Sequence, residues 1–184
     1  MRVIGSIFVA SAVVMLILGM ALISVVTSRL VDAKLDIANS EIDRARVSVE
    51  RQIDATSATS TMQVRLNSAR ASLTQRTTQT DIATVYEPVL VVANQDGTTT
   101  TSPEGYRIPE KLRRFVSEDQ ISYQFATIDR DDGSTYNALV IGTPTETDIP
   151  DLQVYLVMSM ESDASTLALL RGLLSAAGVV VVVL

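Results

Sequence analysis

The stretch VIGSIFVASAVVMLILGMALISVVTS, residues 3–28, carries no charge between Arg2 and Arg29. About 20 apolar residues are needed to cross a bilayer, so this stretch is long enough to span one with some tilt. A cleaved signal peptide would have a shorter apolar core and a small-residue cleavage site, and neither is found here. An amphipathic surface helix would need a charged face. We therefore predict a retained transmembrane helix over residues 3–28.

A second apolar stretch, LLSAAGVVVVVL, follows Arg171 and runs to Leu184. A backbone that ended inside hydrocarbon would leave polar groups unsatisfied, so we expect a second transmembrane helix that continues in a longer protein. Residues 29–171 would then lie outside the cytoplasm of a multi-pass protein of the cell membrane. The predicted organisation is a transmembrane helix over 3–28, membrane-proximal helices over 29–80, an extracytoplasmic domain over 81–163, and a linker helix with a truncated transmembrane helix over 164–184.

The composition excludes several classes of function. The chain has 15 Lys and Arg residues against 21 Asp and Glu, a net charge of −6, so it lacks the basic surface that nucleic-acid binding requires. It contains no Cys and no His, which excludes disulfides and thiolate chemistry and removes the commonest general base and metal ligand. It has no Gly-rich phosphate loop and no metal-binding motif. We predict that this chain is not an enzyme and that it needs no cofactor.

Beyond the first apolar stretch, apolar and small residues recur at spacings of three or four. This pattern is typical of a helix that packs along one stripe, so we predict that the first helix continues without a break over residues 31–53. The stripe fits either a seam between two copies of the chain or a helix that lies on its own domain. We expect a dimer seam near the membrane and domain packing further out. The candidate seam residues are Val31, Leu35, Ala38, Ile42, Ala45 and Val49.

The rest of the chain predicts a mixed domain. Ser and Thr residues break the helical pattern at 54–61, and it returns from Met62 before it fades in 74–80. Aromatic and β-branched residues then concentrate between Tyr86 and Tyr155, which favours strands. The order is two helices, two strands, a short helix over 108–119 and three strands. The predicted strands cover 88–94, a short return after the turn at 95–97, a strand that starts at Ile121, and then 135–143 and 152–160.

This order of elements predicts an α+β domain. We expect two layers, with a mostly antiparallel sheet that carries its helices on one face. The alternation of apolar and polar residues in the strands and the short helix selects the residues of the predicted core, which are Leu112, Phe115, Tyr123, Phe125, Val140 and Leu156.

Two groups of charged residues are candidate binding sites. A basic patch around the short helix fits an anionic ligand, anionic lipid or simply a solvated helix face. Its members are Arg107, Lys111, Arg113 and Arg114. A divalent cation would bind at the carboxylates only if the fold brought several of them together. These carboxylates are Glu118, Asp119, Asp148 and Asp151.

The order of elements resembles the extracytoplasmic PAS-like (PDC-type) sensor domains of bacterial sensor histidine kinases. Three segments are similar to actinobacterial kinases of the MtrB family: RLVDAKLDIANSEIDRARVSVERQI (29–53), YEPVLVVANQDG (86–97) and RGLLSAAG (171–178). The resemblance implies a membrane-anchored sensor domain with a long N-terminal helix, flanked by two transmembrane helices, in a homodimer. It also implies a missing cytoplasmic kinase part with a response regulator as its partner, and an envelope lipoprotein partner of the LpqB type.

We therefore predict the sensory input region of a two-component membrane histidine kinase, which passes an envelope or osmotic signal across the membrane as a helix displacement. Two alternatives remain. One is the ligand-binding region of a chemoreceptor or cyclase, and the other is a two-span scaffold that recruits an envelope lipoprotein. A protein partner is favoured over a small metabolite, at the exposed strand edges and the loops 98–107 and 144–151.

Overall fold

The computed structural model describes residues 2–79, 86–129 and 133–160. The described chain divides into two compact units, one with the residues up to Leu35 and the other with Asp36–Met160. The second transmembrane helix, predicted within 164–184, lies outside the described residues. The helices are α1 (Arg2–Ala55), α2 (Met62–Gln79) and α3 (Glu110–Ser117), and the strands are β1 (Tyr86–Ala93), β2 (Thr99–Ser102), β3 (Ser122–Asp129), β4 (Thr135–Pro144) and β5 (Leu152–Ser159).

The predicted order of helices and strands is found within the described residues, with bounds that differ by a few residues. α1 continues from the apolar stretch past Ile53 and ends at Ala55, so the helix break falls inside the predicted segment 54–61. Thr61 caps the start of α2, because its side-chain oxygen accepts a hydrogen bond from the N–H of Val64 at 3.4 Å. The turn between β1 and β2 contains Gly97 at a φ of 82°, a conformation that glycine adopts without strain.

The strands form one antiparallel sheet in the order β2-β1-β5-β4-β3. β5 lies in the middle, where Tyr155 is paired with Val89 of β1 and Val157 with Val140 of β4. Every side chain of β5 from Leu152 to Met158 is buried. Successive side chains of a strand point to opposite faces, so both faces of the sheet centre are covered.

Helices therefore lie on both faces of the sheet, and the prediction of helices on one face is wrong. α3 covers one face, where its Leu112 and Val116 pack with Val89, Val140 and Tyr155 in a single core cluster. α2 contacts β1 and β2 on the other face, where Ser102, the cross-strand partner of Leu90, donates a hydrogen bond to Asn67 of α2. Helical periodicity in the sequence shows that a helix has an apolar stripe but not which sheet face the stripe covers. The buried residues of this other face include Leu90, Val92, Leu139, Ile141, Val154 and Leu156.

Gly142 of β4 provides the space in which the Tyr155 ring packs beneath α3. A Cβ atom at position 142 would overlap the Tyr155 ring and would lie 3.0 Å from a methyl group of Val116. The Tyr155 hydroxyl is buried and donates a hydrogen bond to the side-chain oxygen of Gln153 at 2.6 Å. Burial raises the pKa of Tyr155, so the ring is neutral at physiological pH.

The predicted core is confirmed only in part. Leu112, Val140 and Leu156 are buried, as predicted, but three aromatic residues are not. β3 is an edge strand, and Tyr123 and Phe125 lie on the sheet face that α2 covers further in, where this cover does not reach β3. The exposed fractions are 36% for Phe115, 52% for Tyr123 and 49% for Phe125.

Candidate functional site

α1 exposes its apolar side chains in its first half and buries them in its second. Leu16 and Met20 are 63% and 69% exposed, whereas Ile42 and Ile53 are fully buried. Among the described residues, one helix is long and apolar enough to cross a membrane, and it is α1 counted from Ser11, with a mean hydropathy of 2.3 in its apolar part. The first half of α1 therefore has the surface of a helix in lipid, and the second half has that of a helix in a domain core.

The structure places the candidate seam residues in two different environments. Val31 and Leu35 are partly exposed. From Ala38 onward the stripe is buried within the chain itself, which favours domain packing for this part of α1. A dimer seam stays a prediction, and Val31 and Leu35 are the positions where the side chains are accessible to a second copy. The buried members of the set are Ala38, Ile42, Ala45 and Val49.

A group of polar contacts, which we call the polar junction, connects the end of α1 with α2 and the β4–β5 loop. The Arg65 guanidinium of α2 lies 2.7 and 2.9 Å from the two carboxylate oxygens of Asp148 and donates to the carbonyl of Ile53 at 3.2 Å. The Glu50 carboxylate of α1 accepts a hydrogen bond from the backbone N–H of Glu146 at 3.0 Å. Hydrogen bonding to Arg65 lowers the pKa of Asp148. The loop 144–151 is thus held against both helices.

Sequence reasoning missed the polar junction and considered Asp148 as a cation ligand instead. Its carboxylate binds Arg65, which is buried to 7% exposure. In the ranges that the structure covers, no group of three or more Asp, Glu, His or Cys residues is placed to hold a metal ion. The helical apolar spacing around Arg65 gave no sign of its partner, because Asp148 is 83 residues away along the chain.

A cavity of about 210 Å³ opens between the β1–β2 end of the sheet and the segment that leads into α3. Val91 and Thr101 are paired across β1 and β2 and lie on the α3 face of the sheet. The volume is below the roughly 300–1,000 Å³ of sites for drug-sized ligands, so the cavity fits only a smaller molecule. The residues that line the cavity are Val91, Thr99, Thr101, Tyr106, Arg107, Ile108 and Arg113.

Two members of the predicted basic patch line the cavity, and the other two do not. Arg107 and Arg113 line it, whereas Lys111 and Arg114 lie exposed on α3. The Nε of Arg113 is buried and has no hydrogen-bond partner in the described part of the chain. A buried donor without a partner costs free energy. Burial raises the pKa of Tyr106, whose hydroxyl therefore stays protonated at neutral pH.

The lining combines cationic, hydroxyl and apolar side chains. Two guanidinium groups supply positive charge and fixed N–H donors, and they suit carboxylate or phosphate oxygens. Thr99 and Thr101 add hydroxyl groups to the polar side, while Val91 and Ile108 supply an apolar wall.

The chain is similar over its whole length to sensor histidine kinases of mycobacteria. These relatives are the sensor histidine kinase MtrB of Mycobacterium leprae, Mycobacterium tuberculosis and Mycolicibacterium paratuberculosis. Each is 34% identical over 189 aligned residues, which take in 100% of this chain and 33% of the relative. The resemblance to kinases of the MtrB family, predicted from the sequence, is therefore confirmed. No family model matches the chain.

The chain spans about a third of the length of these curated relatives. Similarity to sensor histidine kinases supports a sensor region of a two-component system. Together with the apolar first half of α1, it indicates a location at the membrane.

Proposed function

We propose that this chain is the extracytoplasmic sensory input region of a two-component membrane histidine kinase. The observation that carries the proposal is α1, one continuous helix from Arg2 to Ala55 that is apolar and exposed at its start and packed in a domain core at its end. A helix of this kind carries a displacement in the domain toward the membrane. The mycobacterial relatives favour a kinase over a chemoreceptor or a cyclase.

The strand order β2-β1-β5-β4-β3, with a long helix before the sheet, supports a PAS-like (PDC-type) assignment for the domain. The full proposal includes a second transmembrane helix after the sheet and a homodimer with Val31 and Leu35 at its membrane-proximal seam. It also includes a response regulator as downstream partner, an envelope lipoprotein of the LpqB type as outer partner, and an envelope or osmotic stimulus.

The cavity beside α3 is the proposed site of a small anion that acts alongside the envelope or osmotic stimulus, in addition to the protein partner that the sequence favoured. A small anion bound by Arg107 and Arg113 would draw the loop before α3 and the helix itself toward the sheet. α3 contacts β3 and β4, and the loop after β4 is held to α1 through Glu50 and to α2 through Asp148. These contacts form a connected path from α3 to α1, so a shift of α3 would bias the position of α1.

The test is a kinase whose front part is this chain. The chain replaces the matching third of a mycobacterial relative, and autophosphorylation is measured in membrane vesicles at different osmolarities and with acetate, citrate or phosphate. Deletion of residues 86–160 should change the regulation and leave autophosphorylation intact. Loss of phosphoryl transfer in a well-folded deletion variant would contradict the input-region proposal.

A matched pair of variants tests the cavity. Arg113→Ala should abolish a response to small anions, because it removes a lining guanidinium. Arg114→Ala, the neighbouring exposed cation that does not line the cavity, should keep the response. If both variants respond like the parent chain, the cavity is not the site of the small anion.

A further inference from the structure

The edge strand β3 carries a row of exposed apolar side chains. Tyr123 and Phe125 of this strand are 52% and 49% exposed, and Ile121, which directly precedes the strand, is 55% exposed. The two rings contact each other edge to face with centroids 6.3 Å apart. The β4 partners of Tyr123 and Phe125 are Ile141 and Leu139, which are fully buried on the same sheet face. We call these three exposed residues the apolar edge. The apolar edge therefore extends the apolar face of the sheet beyond its covered part, to a strand where that face is exposed to solvent.

The free side of β3 is also long and uncharged. The strand runs from Ser122 to Asp129, and only its last residue carries a charge. Its pairing with β4 is one to one along the whole strand, so no bulge interrupts it. Natural sheets usually protect such an edge with charges, prolines, bulges or a covering segment. The opposite edge, β2, has only four residues, which leaves β3 as the edge with the larger capacity to pair.

The sequence of β3 is compatible with pairing to itself. In an antiparallel pair around a two-fold axis at Gln124, Tyr123 of each copy faces Phe125 of the other, on the same side of the joined sheet. Ser122 faces Ala126 in the same register, and no like charges meet between these positions. Aromatic cross-strand pairs stabilise antiparallel sheets.

The size of the apolar edge favours a tethered second copy over a free protein partner. Half-exposed aromatic side chains of this kind offer about 100 Å² each for burial. The joined edges therefore bury less than the roughly 1,200 Å² that a stable interface between free proteins needs. Two copies held in one membrane meet at a high effective concentration, so a small contact is sufficient for them.

The burial of α1 also favours a contact between two copies at β3. Its stripe from Ala38 to Ile53 is buried in its own domain, so this part of α1 has no apolar seam left for a partner. We infer that the outer domains of two copies join through β3, antiparallel, with Tyr123 of one copy against Phe125 of the other. This inference rests on the proposed function, because membrane tethering brings the two copies together.

Disulfide trapping tests the inference in the full chain. The chain has no Cys, so each introduced Cys is the only thiol. Single substitutions Ser122→Cys, Gln124→Cys and Thr127→Cys are oxidised in native membranes. Gln124→Cys should form the disulfide-linked dimer at least tenfold faster than the other two, because it lies on the two-fold axis. Thr99→Cys, on the opposite edge strand, is the control and should stay at the background rate.

Leu35→Cys reports a homodimer independently of β3. If it forms a dimer while Gln124→Cys stays at the rate of Thr99→Cys, the β3 interface is wrong and the proposed homodimer stands. If neither forms a dimer, the inference and the homodimer both fail. Equal rates at all three β3 positions would also overturn the inference, because they indicate random collision.

A second variant tests the role of the aromatic side chains. Phe125→Lys, placed in the Gln124→Cys background, should lower the rate of dimer formation at least tenfold, since it brings charge to the paired edge. Val64→Lys, on α2 and 51% exposed, is the matched control and should leave the rate unchanged. A Phe125→Lys variant that still forms the dimer at the parent rate would contradict the inference.

Discussion

The two halves of α1 belong to one helix but differ in what surrounds their apolar side chains. The first half is apolar on all sides and exposes residues such as Ile17 at 62%. The second half keeps one buried stripe and carries charges elsewhere, where Arg44 and Arg46 form ion pairs at 2.8 Å with Glu41 and Asp43. The difference shows that the first half has the exposed apolar surface expected of a membrane-spanning helix, whereas the second half is packed within its own domain. The boundary falls where charged residues begin.

The largest expected effect comes from a charge in the buried stripe. Ile42→Asp should destabilise the outer domain by at least about 4 kcal/mol, because it places an unpaired carboxylate in a core position. Asn39→Asp adds the same group at an exposed position of the same helix and should have little effect. Thermal unfolding of the full chain in detergent, followed by circular dichroism, measures both. Similar melting temperatures for the two variants would contradict the packing of α1 on the domain.

A smaller effect on stability is expected when the same substitution, Ile to Ala, is made in each half of α1. Ile53→Ala should cost about 2–5 kcal/mol of domain stability, because it leaves a cavity in the core. Ile17→Ala, in the exposed half, should leave the unfolding of the domain unchanged. Denaturant unfolding of the detergent-solubilised chain measures the contrast. Equal losses of stability would show that the two halves do not differ as described.

The smallest expected effect is the pH dependence of the polar junction. Arg65 holds the pKa of Asp148 below its ordinary value of 3.8. A carboxylate with a lowered pKa contributes stability that is present above the unfolded-state pKa and is lost as pH falls through the folded-state pKa. Asp148→Asn should therefore lower the melting temperature at neutral pH, and its difference from the parent chain should shrink below pH 3.8. A difference that stays constant with pH would contradict the ion pair.

Local periodicity in the sequence predicted the helices and strands of this fold. It did not predict which side chains are covered, because cover depends on neighbours that are distant along the chain. The spacing of Ile42, Val49 and Ile53 was sufficient to predict a continuous α1. The alternation in β3 did not reveal that Tyr123 and Phe125 lie at an uncovered edge, because cover depends on where the helices end.

The cavity beside α3 shows the same limit of prediction from local sequence patterns. Arg113 and Val116 are three residues apart, so they share the face of α3 that packs on the sheet, whereas Lys111 and Arg114 lie on other faces. The cavity between α3 and the β1–β2 strands, however, depends on sheet pairing that no local pattern contains. The sequence therefore predicted the basic patch, but it did not predict which of its members line the same cavity.

The central claim is that α1 acts as one continuous helix between the apolar segment and the domain. Insertion of one to four alanines after Asp32 tests it in the chimeric kinase, because each residue turns the helix by about 100° and lengthens it by about 1.5 Å. Autophosphorylation and its regulation should change with one or two residues and return toward the parent values with four, close to a full turn. Activity and regulation that are the same for every insertion would contradict the claim.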